Sequence, residues 1–128
     1  TYLKALSYNE NLYEYNKANK EGFNEVVFLN IYGNIAEGAT SNIFIIKDKK
    51  IYTPKISDGI LPGVVRNWVI KNFRVCEKHL DKEDLYSADE VFITNSILGI
   101  MKIVQFEERS YSTSMVERIR SEYEQFII

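Results

Sequence analysis

Four short apolar runs dominate this chain: EVVFLNI at 25–31, NIFII at 42–46, EVFIT at 90–94 and IMKIVQF at 100–106. They are rich in β-branched and aromatic residues and are predicted as strands. Between them the hydrophobic period changes. Tyr8, Leu12, Tyr15 and Ala18 recur at helical spacing, with Gly22 as a stop. Val64, Val65, Trp68, Val69 and Phe73 form a second helical stripe, and Val116, Ile119, Tyr123 and Phe126 a third behind the cap candidates Ser112, Thr113 and Ser114. Asp81 caps a short helix over 81–86. A chain that interleaves the two periods is a mixed α+β fold rather than a bundle or a sandwich.

Turn chemistry sets the connections. Tyr32-Gly33-Asn34 predicts a hairpin whose return strand runs from Asn34 to Glu37. Residues 38–42 read as a loop, Lys47–Lys50 as a charged turn, Ile51–Thr53 as a strand pairing back, and Pro54–Pro62 as a loop. Val75–Leu80 reads as a short strand, and Thr94-Asn95-Ser96 as a polar break. At 128 residues, 45% hydrophobic, the chain is the size of one domain with a core of its own.

Composition excludes several classes. Sixteen Lys+Arg against 18 Asp+Glu give a formal charge of −2, which is no footprint for nucleic acid or an anionic membrane. No apolar run approaches the length that spans a bilayer, and no secretory leader is seen. Cys76 is the only cysteine, so no internal disulfide forms, in keeping with a reducing cytoplasm. With a single His, His79, and a single Cys the chain lacks the donors of a conventional zinc site, so no metal is expected. Cys76 is expected to pack inside and His79 to face solvent. The opening Thr-Tyr-Leu-Lys, without Met, points to a piece of something longer.

Three loops carry candidate chemistry: Glu37-Gly38-Ala39-Thr40-Ser41-Asn42, Gly59-Ile60-Leu61-Pro62-Gly63-Val64-Val65, and Thr94-Asn95-Ser96. Gly63 leading directly into a helix leaves N–H groups that, with the helix dipole, attract an anion such as phosphate. Gly-led helices are common, and spacing alone favours an ordinary helix start. Lys4 and Glu37, taken singly, read as surface charges.

Taken in order, the segments resemble the fold-type IV pyridoxal-phosphate enzymes, the class IV aminotransferase family. The resemblance runs from Lys4-Ala-Leu-Ser-Tyr through Glu37-Gly-Ala-Thr-Ser-Asn42-Ile-Phe and Gly59-Ile-Leu-Pro-Gly-Val-Val-Arg66 to Glu90-Val-Phe-Ile-Thr-Asn-Ser96. It implies a twisted mixed or antiparallel sheet closing toward a barrel with flanking helices. It implies pyridoxal 5′-phosphate as cofactor and residues 1–128 as the C-terminal, cofactor-binding domain, without the N-terminal domain that such enzymes carry. It also implies a homodimer and a small amino-acid-like substrate.

By that resemblance Lys4 is the lysine that forms a Schiff base with the cofactor aldehyde, and Glu37 is the carboxylate that keeps the pyridine nitrogen protonated. Gly63, Val64 and Val65 form the phosphate cup through backbone N–H groups, and Ser96 closes it with its hydroxyl, Asn95 beside it. Leu61 packs on the ring. Thr40, Ser41 and Asn42 shape the site. Val65 stands where many aminotransferases have Thr, Ser7 where Asn is common, and Lys102 where Pro is usual. The run Thr94-Asn-Ser-Ile-Leu-Gly99-Ile-Met is similar to the pattern of bacterial aminodeoxychorismate lyases, which form 4-aminobenzoate and pyruvate on the route to folate. A branched-chain or D-amino-acid aminotransferase is the alternative, and a truncated, catalytically silent domain a third reading.

Overall fold

The computed structural model describes residues 2–7, 25–29, 35–38, 41–58 and 63–127. Its strands form two five-stranded sheets among these residues. One contains β1 (Tyr2–Ser7), β2 (Glu25–Leu29), β3 (Ile35–Gly38), β9 (Gln105–Phe106) and β10 (Arg109–Ser110), in the order β10-β9-β1-β2-β3. The other contains β4 (Asn42–Lys47), β5 (Lys50–Thr53), β6 (Val75–Glu77), β7 (Glu90–Asn95) and β8 (Gly99–Ile103), in the order β6-β5-β4-β7-β8. Both mix parallel and antiparallel pairs. The mixed sheets with flanking helices are as expected; the described strands form two sheets sharing a core, with no closed barrel among them. Three α-helices join them among the described residues: α1 (Val64–Asn72), α2 (Lys82–Ser87) and α3 (Ser114–Ile127).

The apolar runs of β4 and β7 are continuous because both faces of the central strands are buried. Ile43, Ile45, Val91 and Ile93 pack between the sheets against Leu3, Ile35 and Phe106. Phe44, Ile46 and Phe92 face the other way, onto Val65 and Val69 of α1 and Val116 and Ile119 of α3. Phe44 and Phe92 are register partners and their rings stack at 4.7 Å.

The expected hairpins β2–β3 and β4–β5 are present, as are α1 and the Asp81-capped α2. Asp81 and Asp84 cap reciprocally, each side chain accepting from the other's backbone N–H. Four expectations need correction. The run 100–106 is two strands, β8 and β9, which leave Val104 between them and enter different sheets. The strand expected over 75–80 stops at Glu77, because β6 is an edge strand with only β5 beside it. For the same reason Cys76 is exposed rather than packed inside. Thr94 and Asn95 belong to β7, and the turn falls on residues 96–98. His79 is exposed as expected. The helix expected over Tyr8–Ala18 and its Gly22 stop lie outside the described residues; Lys4, expected just before that helix, stands inside β1.

Candidate functional site

Sheet geometry brings two of the expected loops to one end of the second sheet. Asn42, the first residue of β4, is the register partner of Thr94 near the end of β7. Residues in register share a face, so Asn42 and Thr94 stand in line with Phe44–Phe92 on the side that carries α1 and α3. A polar pair thus ends an apolar column. Both side chains are buried, and the Thr94 hydroxyl has no hydrogen-bond partner among the described residues.

The start of α1 sits on this pair. A Cβ added to Gly63 would lie 2.5 Å from Asn42 Oδ1, so any larger residue collides there. Gly63 is extended (φ −73°, ψ 157°), so the glycine answers close approach rather than left-handed backbone. It offers no side-chain cap, and the first turn of α1 carries no acidic residue. Among the described residues, the positive end of this helix dipole thus has no acidic side chain in its own first turn. The other helices fill theirs: α2 with Asp81, and α3 with Glu90, whose buried carboxylate accepts from the N–H groups of Met115 (3.1 Å) and Val116 (3.0 Å).

Arg66 holds this end in place. It is only 2% exposed, and its guanidinium donates to the Pro54 carbonyl at 3.1 Å and to Glu77 Oε1 at 2.8 Å. One buried cation thereby ties α1 to the segment after β5 and to β6. Helical spacing placed Val64 on the buried stripe; the structure buries Arg66 in its stead and leaves Val64 78% exposed.

At the end of β7, Asn95 Oδ1 accepts from the N–H groups of Ile97 (2.7 Å) and Leu98 (3.2 Å), which builds the turn. Gly99 closes it at φ +78°, where a Cβ would also press to 3.1 Å on the Tyr123 ring. Ser96 is exposed at the start of the turn, beside a recess of about 140 Å³ that reaches Tyr123 and Glu124. The site end is thus rimmed by exposed apolar residues: Val64, Ile97 and Leu98.

Lys4 and Glu37 belong to the first sheet. Lys4 is in register with Val26, and Glu37 with Phe28, two residues further along β2. The register then shifts: Leu29 pairs with Ile35, skipping Ala36. That irregularity matters because strand faces alternate. Leu3 and Ile35 are buried in the core between the sheets. Without the shift Glu37 would share the face of Ile35. With it, Glu37 takes the same register parity along β2 as Lys4. Leu61 and Thr40 lie outside the described residues; Ser41 and Asn42 are buried at the head of β4. The structure therefore gathers Ser41, Asn42, Gly63, Val64, Val65, Asn95 and Ser96 at one end of the second sheet, and sets Lys4 and Glu37 at the same register parity in the first.

The sequence model of the family described as "Amino-transferase class IV" matches residues 1–106. The chain belongs to the class IV aminotransferase family. It is 36% identical over 120 residues to an aminodeoxychorismate lyase of Bacillus subtilis, covering 90% of this chain and 41% of that protein. It is 34% identical over 111 residues to a probable branched-chain-amino-acid aminotransferase of Aquifex aeolicus, covering 82% of this chain and 36% of the relative. Among solved structures, an aminotransferase from Brucella abortus bound to the cofactor PLP superposes with a TM-score of 0.80 at 32% identity, over 87% of this chain and 42% of that one. The chain thus spans well under half the length of these relatives.

Arg66 was not legible as the residue that holds the site end, nor Glu90 as the cap of α3 at the opposite end of β7. A basic residue on a helix and an acidic residue at a strand start read as solvated charges. Only the buried N–H groups and carbonyl they meet, contributed by distant segments, reveal their work.

Proposed function

We propose that this chain is the cofactor-binding part of a pyridoxal-phosphate-dependent 4-amino-4-deoxychorismate lyase, which forms 4-aminobenzoate and pyruvate on the way to folate. The observation that carries the cofactor reading is the start of α1 at Gly63, which has no side chain of its own to cap the helix and approaches Asn42 closely. The N–H groups of Val64 and Val65 would hold the phosphate, and the Ser96 hydroxyl would close the cup with Asn95 shaping the turn. Glu37 would balance the charge of the ring nitrogen, Leu61 would pack on the ring, and Thr40, Ser41 and Asn42 would line the site. When bound, the cofactor supplies an aldehyde that captures the substrate amine and a ring that accepts the electrons of a broken bond. Lys4 takes the substrate proton that starts the elimination and returns one at its end. Loss of pyruvate leaves an aromatic ring, which drives the reaction forward.

The choice of lyase rests on the turn after β7. Thr94-Asn95-Ser96 with Gly99 three residues on is the lyase-like pattern, and Gly99 stands at positive φ, where the glutamate common in the aminotransferases is disfavoured. Transamination of a branched-chain or D-amino acid is the second reading, supported by the Aquifex relative. The exposed Val64, Ile97 and Leu98 support a cover of further protein over this end, such as an N-terminal domain or a second subunit of a homodimer. The lone, exposed Cys76 supports a reducing, cytoplasmic setting. No helix among the described residues is long and apolar enough to cross a membrane.

The test uses the full-length protein loaded with pyridoxal phosphate. Pyruvate released from aminodeoxychorismate, with no amino transfer to 2-oxoglutarate, supports the lyase. Amino transfer without pyruvate moves the assignment to an aminotransferase. Neither, at full cofactor loading, marks a silent domain.

A further inference from the structure

A second recess lies at the other end of α1, about 14 Å from Gly63 by the helix's length. It holds about 210 Å³. Its floor is hydrocarbon: Ile51 of β5, Phe73 just past α1, and Ile119 of α3. Its rim is cationic: Lys49, Arg74 and Arg118, all exposed. None of the three makes an ion pair, side-chain hydrogen bond or ring contact among the described residues, whereas Lys47, Lys82, Lys102 and Arg120 all hold acidic partners. Three positively charged residues on one rim, with no ion-pair partner among the described residues, raise the local potential on a chain of formal charge −2. Lys49 stands at φ +65° in the β4–β5 hairpin turn, a place that favours glycine or asparagine, so its side chain is delivered to the rim against its backbone preference.

We propose that this recess binds a small monocarboxylate bearing an aromatic or branched hydrocarbon group. The floor offers no hydroxyl or amide side chain, so a sugar or other polar body would lose its hydration without replacement. The volume matches about seven waters, which suits a body the size of benzoate. The hydrocarbon packs on Ile51, Phe73 and Ile119, while the carboxylate takes charge-assisted hydrogen bonds from Arg74 and Arg118 with Lys49 alongside. Nothing in the proposal depends on the cofactor reading, since the recess and the Gly63 end sit at opposite ends of α1.

Titration of benzoate into the full chain without cofactor, followed by amide NMR, tests it. Saturable shifts are expected at Lys49, Ile51, Phe73, Arg74, Arg118 and Ile119. Benzamide, which lacks the charge, and acetate, which lacks the ring, are each expected to bind at least tenfold more weakly. The Arg74→Gln/Arg118→Gln double variant is expected to lose at least tenfold in benzoate affinity with an unchanged melting temperature. If that variant does not fold, Lys49→Glu replaces it, with a several-fold loss expected. Shifts confined to Gly63–Arg66, equal affinity for benzamide, tighter binding of inorganic phosphate than of benzoate, or benzoate affinity unchanged in the variants would each overturn the proposal.

Discussion

Gly63 and Glu90 show how single residues set the two ends of the helix layer. At Gly63 the missing Cβ lets α1 begin on Asn42. Asn42 is itself buried, so a methyl group at position 63 forces its amide to shift within a packed setting. Gly63→Ala is expected to retain the helix by circular dichroism and to weaken pyridoxal phosphate binding about tenfold, about 1.4 kcal/mol. Adding Asn42→Ala removes the colliding oxygen and should recover part of that loss, a coupling that a double-mutant cycle measures. At Glu90 one carboxylate serves two N–H groups at the start of α3. Glu90→Ala leaves the buried Val116 N–H without its partner and is expected to cost about 1–3 kcal/mol in urea unfolding. Glu90→Gln retains an acceptor and is expected to cost less than Glu90→Ala. An equal cost for the two would contradict the capping role.

Among the elements, the β2–β3 hairpin and the segment around Tyr111 do the most to position others. The register shift in β3 gives Glu37 the register parity of Lys4 along β2 while Ile35 stays in the core. Alternation alone cannot reveal this, since the shift occurs within one continuous apolar stretch. The same limit explains the 100–106 run: its seven residues read as one strand, and only two competing sheet edges divide it. By contrast, α1, α2 and the β4–β5 hairpin were legible because period, Asp81 and the Lys47–Lys50 turn act locally. Tyr111 is buried; its hydroxyl donates to the Leu85 carbonyl of α2 and its N–H to Val104 at 3.0 Å, joining α2 to the end of the first sheet. Burial pushes that hydroxyl's pKa well above its ordinary value, against the opposing pull of Arg109. The folded state therefore keeps a proton that the unfolded state gives up above about pH 10. Its contribution is complete below that pH and declines as pH rises further. Tyr111→Phe is expected to flatten the fall in stability between about pH 10 and 12 at the cost of one hydrogen bond, about 1 kcal/mol at neutral pH. Urea midpoints across that range check it; an unchanged slope would contradict it.

For the whole molecule, two sheets sharing one core, with helices on the outer face of the second, separate the candidate residues into two groups. The residues proposed to hold the phosphate lie at one end of the second sheet, where Asn42 and Thr94 end the apolar column and α1 begins. Lys4 and Glu37, proposed as the reacting lysine and its carboxylate, stand in strands of the first sheet. Family membership was legible because the motif blocks are local in sequence and stand in a fixed order. The support of the site, Arg66 on the Pro54 carbonyl and Glu77, depends on three segments meeting and is not written in any one of them. The most direct measurement loads the full-length protein with pyridoxal phosphate, reduces it with borohydride and maps the labelled peptide by mass spectrometry. Visible absorbance before reduction is expected, with a single cofactor adduct on Lys4 that Lys4→Ala abolishes. A colourless protein, or an adduct spread over surface lysines and unchanged in Lys4→Ala, would contradict this expectation.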